Sequence, residues 1–68
     1  MQLTINGEER LFEGPLSLAG LLEHLGLKLD RVAVEYNRSI LARPQWAETS
    51  LADGDRLEIV QFVGGGTS

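Results

Sequence analysis

The sequence predicts an α+β domain, one mixed sheet of four to five strands packed on a single main helix. Three observations predict it. Short runs of alternating apolar and polar residues, each bounded by turn residues, occur at both ends and in the middle of the chain, as strands require. One stretch, from Leu18 to Leu25, repeats its leucines at helical spacing instead. The length of 68 residues allows one thin core, because a chain of this size buries only roughly 60% of the surface that it exposes when unfolded.

The elements follow in order. In QLTINGEERLF, Leu3 and Ile5 alternate against Gln2 and Thr4 and lead into Asn6-Gly7, whose readiness for positive φ suits a tight hairpin. Gly14-Pro15 breaks the second strand. Ser17 is placed to cap a helix whose apolar residues Leu18, Leu21, Leu22 and Leu25 follow the spacing i, i+3, i+4, i+7, and Gly26 stops it. Leu16 and Leu21 stand at the positions of a hydrophobic staple. Gly20, inside the helix, costs about 1 kcal/mol against alanine and suggests close approach to the sheet. RVAVEYN, from Arg31 to Asn37, alternates through Val32 and Val34, and Asn37-Arg38 turns the chain into the short apolar run Ser39-Ile40-Leu41. The stretch from Arg43 to Glu48 has no strand period and reads as a helical turn that tucks Trp46 over one end of the core. Asp53-Gly54-Asp55 turns the chain again, and RLEIVQFV makes the longest strand.

A hairpin, a helix, a second pair of strands and a final strand match a single sheet wrapped around one helix, with right-handed crossovers. This is the β-grasp, or ubiquitin-like, architecture. The last strand is apolar on both faces, Leu57, Ile59 and Val63 alternating against Val60 and Phe62. One helix covers only one face, so one set looks outward. The parity of Leu57 and Ile59 makes them the core set and leaves Val60 and Phe62 as candidates for an exposed docking patch, against the plain alternative that isolated apolar residues are common on surfaces. Residues 1–63 form the domain, and residues 64–68 are a glycine-rich tail.

Composition excludes several classes of function. The chain has no cysteine and one histidine, so neither a disulfide nor a structural zinc site is available. Ten acidic against six basic side chains give a net charge of −4, which repels phosphate backbones, so nucleic acid is not the expected partner and a basic protein surface fits better. No apolar run approaches the roughly 20 residues that span a bilayer, and no basic segment followed by an apolar one opens the chain, so a cytoplasmic protein that uses no membrane is expected. Catalytic machinery is missing as well. His24 sits beside Glu23 near a helix C-terminus, where a solvated imidazole is favourable; Ser17, Ser39 and Ser50 lack a base partner; Glu8, Glu9 and Glu13 belong to a solvated hairpin face. The glycine run opens no helix and lacks the lysine of a phosphate-binding loop.

What remains is the tail. Having no Cβ, Gly64, Gly65 and Gly66 fit a slot too narrow for side chains and reach about 10 Å beyond the final strand, at roughly 3.3–3.6 Å per residue. The useful cargo of such a tail is the carboxylate of Gly66. A carboxylate is a poor electrophile, so a partner must first activate it, for instance as an acyl-adenylate made from ATP. The alternative is a glycine-rich terminus without a role.

Nearly end to end, the sequence resembles the ThiS family, the sulfur carrier proteins of thiamine biosynthesis. The resemblance is carried by the opening strand and its NGE turn, LSLAGLLEHLG, VAVEYNRSIL, Arg43 with Gln45-Trp46-Ala47, LADGDRLEIVQFV and the glycines. It implies a carrier and not an enzyme. In such proteins an E1-like adenylyltransferase uses ATP to adenylate the terminal glycine carboxylate, and a sulfurtransferase or cysteine desulfurase system converts it to a thiocarboxylate. The thiocarboxylate then donates sulfur to thiazole synthase. Carried over by position, Gly66 bears the sulfur, Gly65 and Gly64 occupy the channel, and Val60 and Phe62 dock on the adenylating enzyme. The carrier itself binds no cofactor, ATP belonging to the partner, and is a monomer when free.

Two departures from the family pattern stand out. Pro44 lies between Arg43 and Gln45, and Thr67-Ser68 follow Gly66, as a precursor extension that a protease removes, as a cloning remnant, or as the mark of a carrier that has lost its function. Rival readings are a sulfur carrier for molybdopterin or tRNA thiolation, a β-grasp binding module, and a protein tag joined to lysines through Gly66.

Overall fold

Asn6 and Gly7, at φ 52° and 84°, form the hairpin turn between β1 (Gln2–Ile5) and β2 (Glu8–Leu11), which pair antiparallel with Ile5 opposite Glu8. The structure is a computed structural model that describes residues 1–62. Val63, the domain boundary after it, and Gly64, Gly65 and Gly66 lie outside the described residues.

Asn6 does more than turn the chain. Its side-chain amide donates to the carbonyl of Ile59 at 3.2 Å, and its side-chain oxygen accepts from the Ile59 N–H at 2.8 Å, 53 residues away in sequence. The amide thereby continues the ladder between β1 and the last strand past the point where β1 ends. Asn6→Ala should leave both backbone groups of Ile59 without these partners, at roughly 1–3 kcal/mol. At about 4–8 °C per kcal/mol for so small a domain, thermal melting followed by circular dichroism should fall by roughly 5–20 °C. An unchanged melting temperature would mean that the amide is dispensable.

Helix α1 (Leu18–His24) begins and ends as its sequence dictates. The Ser17 hydroxyl accepts from the Gly20 N–H at 3.0 Å. At the other end Gly26, at φ 78°, donates to the Glu23 carbonyl, and the Leu27 N–H reaches back to the Leu22 carbonyl at 3.0 Å, the paired bonds of a left-handed helix stop. Leu18, Leu21 and Leu22 are fully buried, whereas Leu25, the C-cap, is only partly covered. The expectation for Gly20 needs correcting. A Cβ there would lie 3.2 Å from Ser17 Oγ and 3.3 Å from Leu16 Cδ2, so the glycine makes room for the cap and its flanking leucine rather than for the sheet.

A 3₁₀ turn, Leu29–Arg31, leads into β3 (Val32–Tyr36), and Asn37 and Arg38, both at positive φ, turn it into β4 (Ser39–Leu41). The expected helical turn is a 3₁₀ helix, Arg43–Glu48, which buries Trp46 and lets its indole N–H donate to the Leu41 carbonyl at 3.0 Å. Then β5 (Arg56–Gln61) enters the middle of the sheet. The order is β2-β1-β5-β3-β4, with β1 and β5 parallel and every other pairing antiparallel. This is the predicted mixed sheet on one helix. Leu3, Ile5, Val32, Val34, Leu57 and Ile59 close the core against the helix and Trp46.

Candidate functional site

Strand parity decides which side chains the sheet offers to a partner. In β5, Leu57 and Ile59 are buried, whereas Val60 and, just past the strand, Phe62 are 56% and 53% exposed, so the expected outward set does face away from the helix. The Phe62 N–H donates to the Arg31 carbonyl at 2.7 Å, which ties the base of the glycine tail to the start of β3. Gly64, Gly65 and Gly66 themselves fall outside the described residues.

Pairing brings two further residues to this face. Ala33 stands opposite Val60 across the β3–β5 ladder, and Ile40 of β4 stands opposite Glu35 of β3. Ile40 is 79% exposed. With Val60 and the stems of Glu35 and Glu58, these side chains line a shallow groove of about 170 Å³ on the outer face. Sequence reasoning placed Ile40 in an apolar strand but not on the docking side. A strand of three residues shows too little of its period for that, and only its partner reveals the parity: Leu41 faces buried Val34, so Ile40 must face out.

Among the described residues no group of histidine, cysteine, aspartate and glutamate side chains is arranged to hold a metal ion. His24 is exposed and stands edge-on to Phe12 with ring centroids 5.8 Å apart, a packing contact. Ser17 is a helix cap. The perturbed titrating groups are Tyr36 and Asp55, whose side chains share a hydrogen bond of 2.7 Å. Burial pushes the Asp55 carboxyl up, but hydrogen bonds from Tyr36, the Ala52 N–H and the Asn37 amide outweigh it and hold the group below its ordinary value. The same bond from Tyr36 to the carboxylate, with burial and the nearby negative charge, raises the phenol. Asp55 thus ties the turn before β5 to the turn after β3, which is a structural task.

Comparison with known proteins places this geometry. The model of the ThiS family matches residues 3–66 of the chain. The sulfur carrier protein ThiS of Escherichia coli is 30% identical over 66 residues, 97% of this chain and the whole of that protein. A thiazole synthase of Paramagnetospirillum magneticum is 46% identical over 67 residues, which are 98% of this chain but only 21% of that protein. The chain therefore spans about a fifth of the length of that relative, as it does of the thiazole synthase of Magnetococcus marinus. Among solved structures, the thiamine biosynthesis protein (ThiS) of Geobacter metallireducens superposes with a TM-score of 0.82 at 36% identity, covering 97% of this chain and all of the other.

Proposed function

The chain belongs to the ThiS family of sulfur carriers, and from that premise we propose that it carries sulfur, as the thiocarboxylate of Gly66, to the synthase that builds the thiazole ring of thiamine. The observation that carries this reading is the reach of the family match, which runs through the whole domain and ends at Gly66. An E1-like adenylyltransferase supplies the activation. A protease first hydrolyses the Gly66–Thr67 peptide bond, releasing Thr67-Ser68 and freeing the Gly66 carboxylate. That carboxylate attacks the α-phosphorus of ATP, pyrophosphate leaves, and the acyl-adenylate holds a carbonyl carbon that a sulfur nucleophile can take. The terminal sulfur of a persulfide on a sulfurtransferase or cysteine desulfurase displaces AMP to give an acyl disulfide. A second thiol cleaves its S–S bond, being oxidised to a disulfide with the donor's sulfur, so that one carboxylate oxygen has been exchanged for sulfur. The carrier contributes the acyl carbon, the slim approach of Gly64 and Gly65, and the outer face by which the enzyme holds it. ATP binds to the partner.

Thiazole synthase as the acceptor is supported by the two relatives of that name, in which a segment similar to this whole chain makes up about a fifth of the protein. Intact mass spectrometry of the chain ending at Gly66, freed of Thr67-Ser68, before and after incubation with ATP, the adenylyltransferase and a sulfur source tests the reading. The expected product is a chain ending at Gly66, heavier by the mass of sulfur less that of oxygen. A chain that stays unmodified, with its adenylyltransferase active on a known carrier, would reject it.

Docking through the outer face yields a separate expectation. Phe62→Ala removes a half-exposed ring and should leave the melting temperature within a few degrees, while the KM for the carrier in adenylation rises about tenfold, as when an aromatic anchor is cut from an interface. A large loss of stability with an unchanged KM would assign the ring to the fold instead.

A further inference from the structure

The outer face sets two like charges directly opposite each other. Glu35 of β3 and Glu58 of β5 are direct partners across the antiparallel ladder, and both are exposed. Like charges directly opposite one another on a sheet destabilise it. The side-chain hydrogen bonds that join distant parts of the sheet run instead through Asn6, Tyr36, Asn37 and Asp55. Position gives the glutamate pair its meaning. On one side lies the apolar groove of Ala33, Ile40 and Val60, with Phe62 beyond it toward the tail; on the other lie Arg38 and Arg56, which share a second hollow with the two glutamates. Along β5, from the base of the tail outward, the face therefore reads apolar, acidic, basic, with Ile40 of β4 flanking the glutamate row beside Glu35.

Resting on the carrier reading above, we infer that Glu35 and Glu58 form a receptor for one cationic side chain, an arginine or lysine, that the adenylating enzyme presents at the end of an apolar ridge. The ridge fills the groove of Ala33, Ile40 and Val60, and the cation seats between the two carboxylates. An arginine fork suits such a pair, because its several N–H donors serve two acceptors at once. In the free carrier the carboxylates repel each other; in the complex the same repulsion is relieved, so the pair favours the bound state over the free one. The net charge of −4 draws a basic surface toward the domain in the same direction. Partners that present apolar side chains alone would fill the groove but leave the carboxylates desolvated without a counter-charge, which gives the pair a discriminating role.

The test uses the chain ending at Gly66, freed of Thr67-Ser68, with its adenylyltransferase and ATP, and pyrophosphate release is measured against carrier concentration. In the double variant Glu35→Gln with Glu58→Gln, shape is kept and charge is lost. The expected result at low salt is a KM raised about tenfold with kcat unchanged, a flatter dependence of KM on salt, and a melting temperature equal to or above that of the wild type. Glu58→Lys, which sets a cation where the partner's would sit, should raise KM further. A double variant with the wild-type KM and salt dependence overturns the inference while leaving the carrier reading intact. A lowered melting temperature also overturns it, because the glutamates would then serve the fold through Arg38 and Arg56. Failure of the wild-type chain to react at all removes the carrier reading and this inference with it.

Discussion

Gly65→Val is expected to abolish thiocarboxylate formation while leaving the melting temperature of the domain nearly unchanged. The two halves of that result have separate physical origins. The core closes with Leu3, Ile5, Leu18, Leu21, Leu22, Val34, Trp46, Leu57 and Ile59, all within the described residues, and a glycine has no side chain to lose, so Gly65→Val deletes no atom that a core contact could use. Modification, in contrast, requires an enzyme to thread the tail until the Gly66 carboxylate meets ATP. A branched side chain one residue from the acyl carbon widens the chain where the approach must be narrow and restricts its backbone to the conformations that a β-branched residue prefers. Because misplacement of reacting atoms by about 1 Å costs on the order of a hundredfold in rate, a clash at that point should reduce adenylation below detection. Melting by circular dichroism and intact mass after reaction check the two halves on one sample. Equal modification of variant and wild type would show that the channel tolerates side chains, and the rationale for three glycines would be lost.

Trp46→Ala should do the reverse and destabilise the domain. Trp46 is the one tryptophan of the chain, buried beneath a short 3₁₀ helix and packed in the core cluster, with its indole N–H donated to the Leu41 carbonyl. Truncating so large a buried side chain costs roughly 3–5 kcal/mol. A domain of this length holds roughly 3–10 kcal/mol in all, at about 0.05–0.15 kcal/mol per residue. The variant should therefore lose roughly a third or more of its stability, and its melting temperature by circular dichroism should fall by roughly 12–40 °C at about 4–8 °C per kcal/mol. Trp46→Phe, which keeps an aromatic ring but loses the N–H bond, should fall between. A variant Trp46→Ala that still melts within a few degrees of the wild type would show that the 3₁₀ segment is an ornament on a core complete without it.

The fold was legible because its elements announce themselves locally. Asn6-Gly7 and Asn37-Arg38 mark turns, Ser17 and Gly26 bracket the helix, and Leu57 and Ile59 show their parity against Val60 and Phe62; each is a signal within a few residues, and each stands where the sequence placed it. The parts that stayed hidden depend on partners far away in the chain. That the Asn6 side chain serves Ile59 requires knowing that β1 and β5 are neighbours. The outward turn of Ile40 follows from Leu41 facing Val34, and the confrontation of Glu35 with Glu58 follows from register alone. Gly20 misled because a helical glycine signals that something is close without saying what, and the neighbours are its own cap and Leu16.

The central place of β5 has a consequence for how the protein comes into being. β5 is the last strand in sequence, yet it lies between β1, the first, and β3. Until it has been synthesised, the β1–β2 hairpin and the β3–β4 pair have nothing to join them, and the contacts that complete the sheet close loops of nearly the whole chain. A nascent chain still lacking these residues cannot rest in a partial version of the fold. The outer face of Ala33, Glu35, Glu58 and Val60 is assembled only in that final step, so an enzyme that reads this face meets finished molecules and passes over truncated ones.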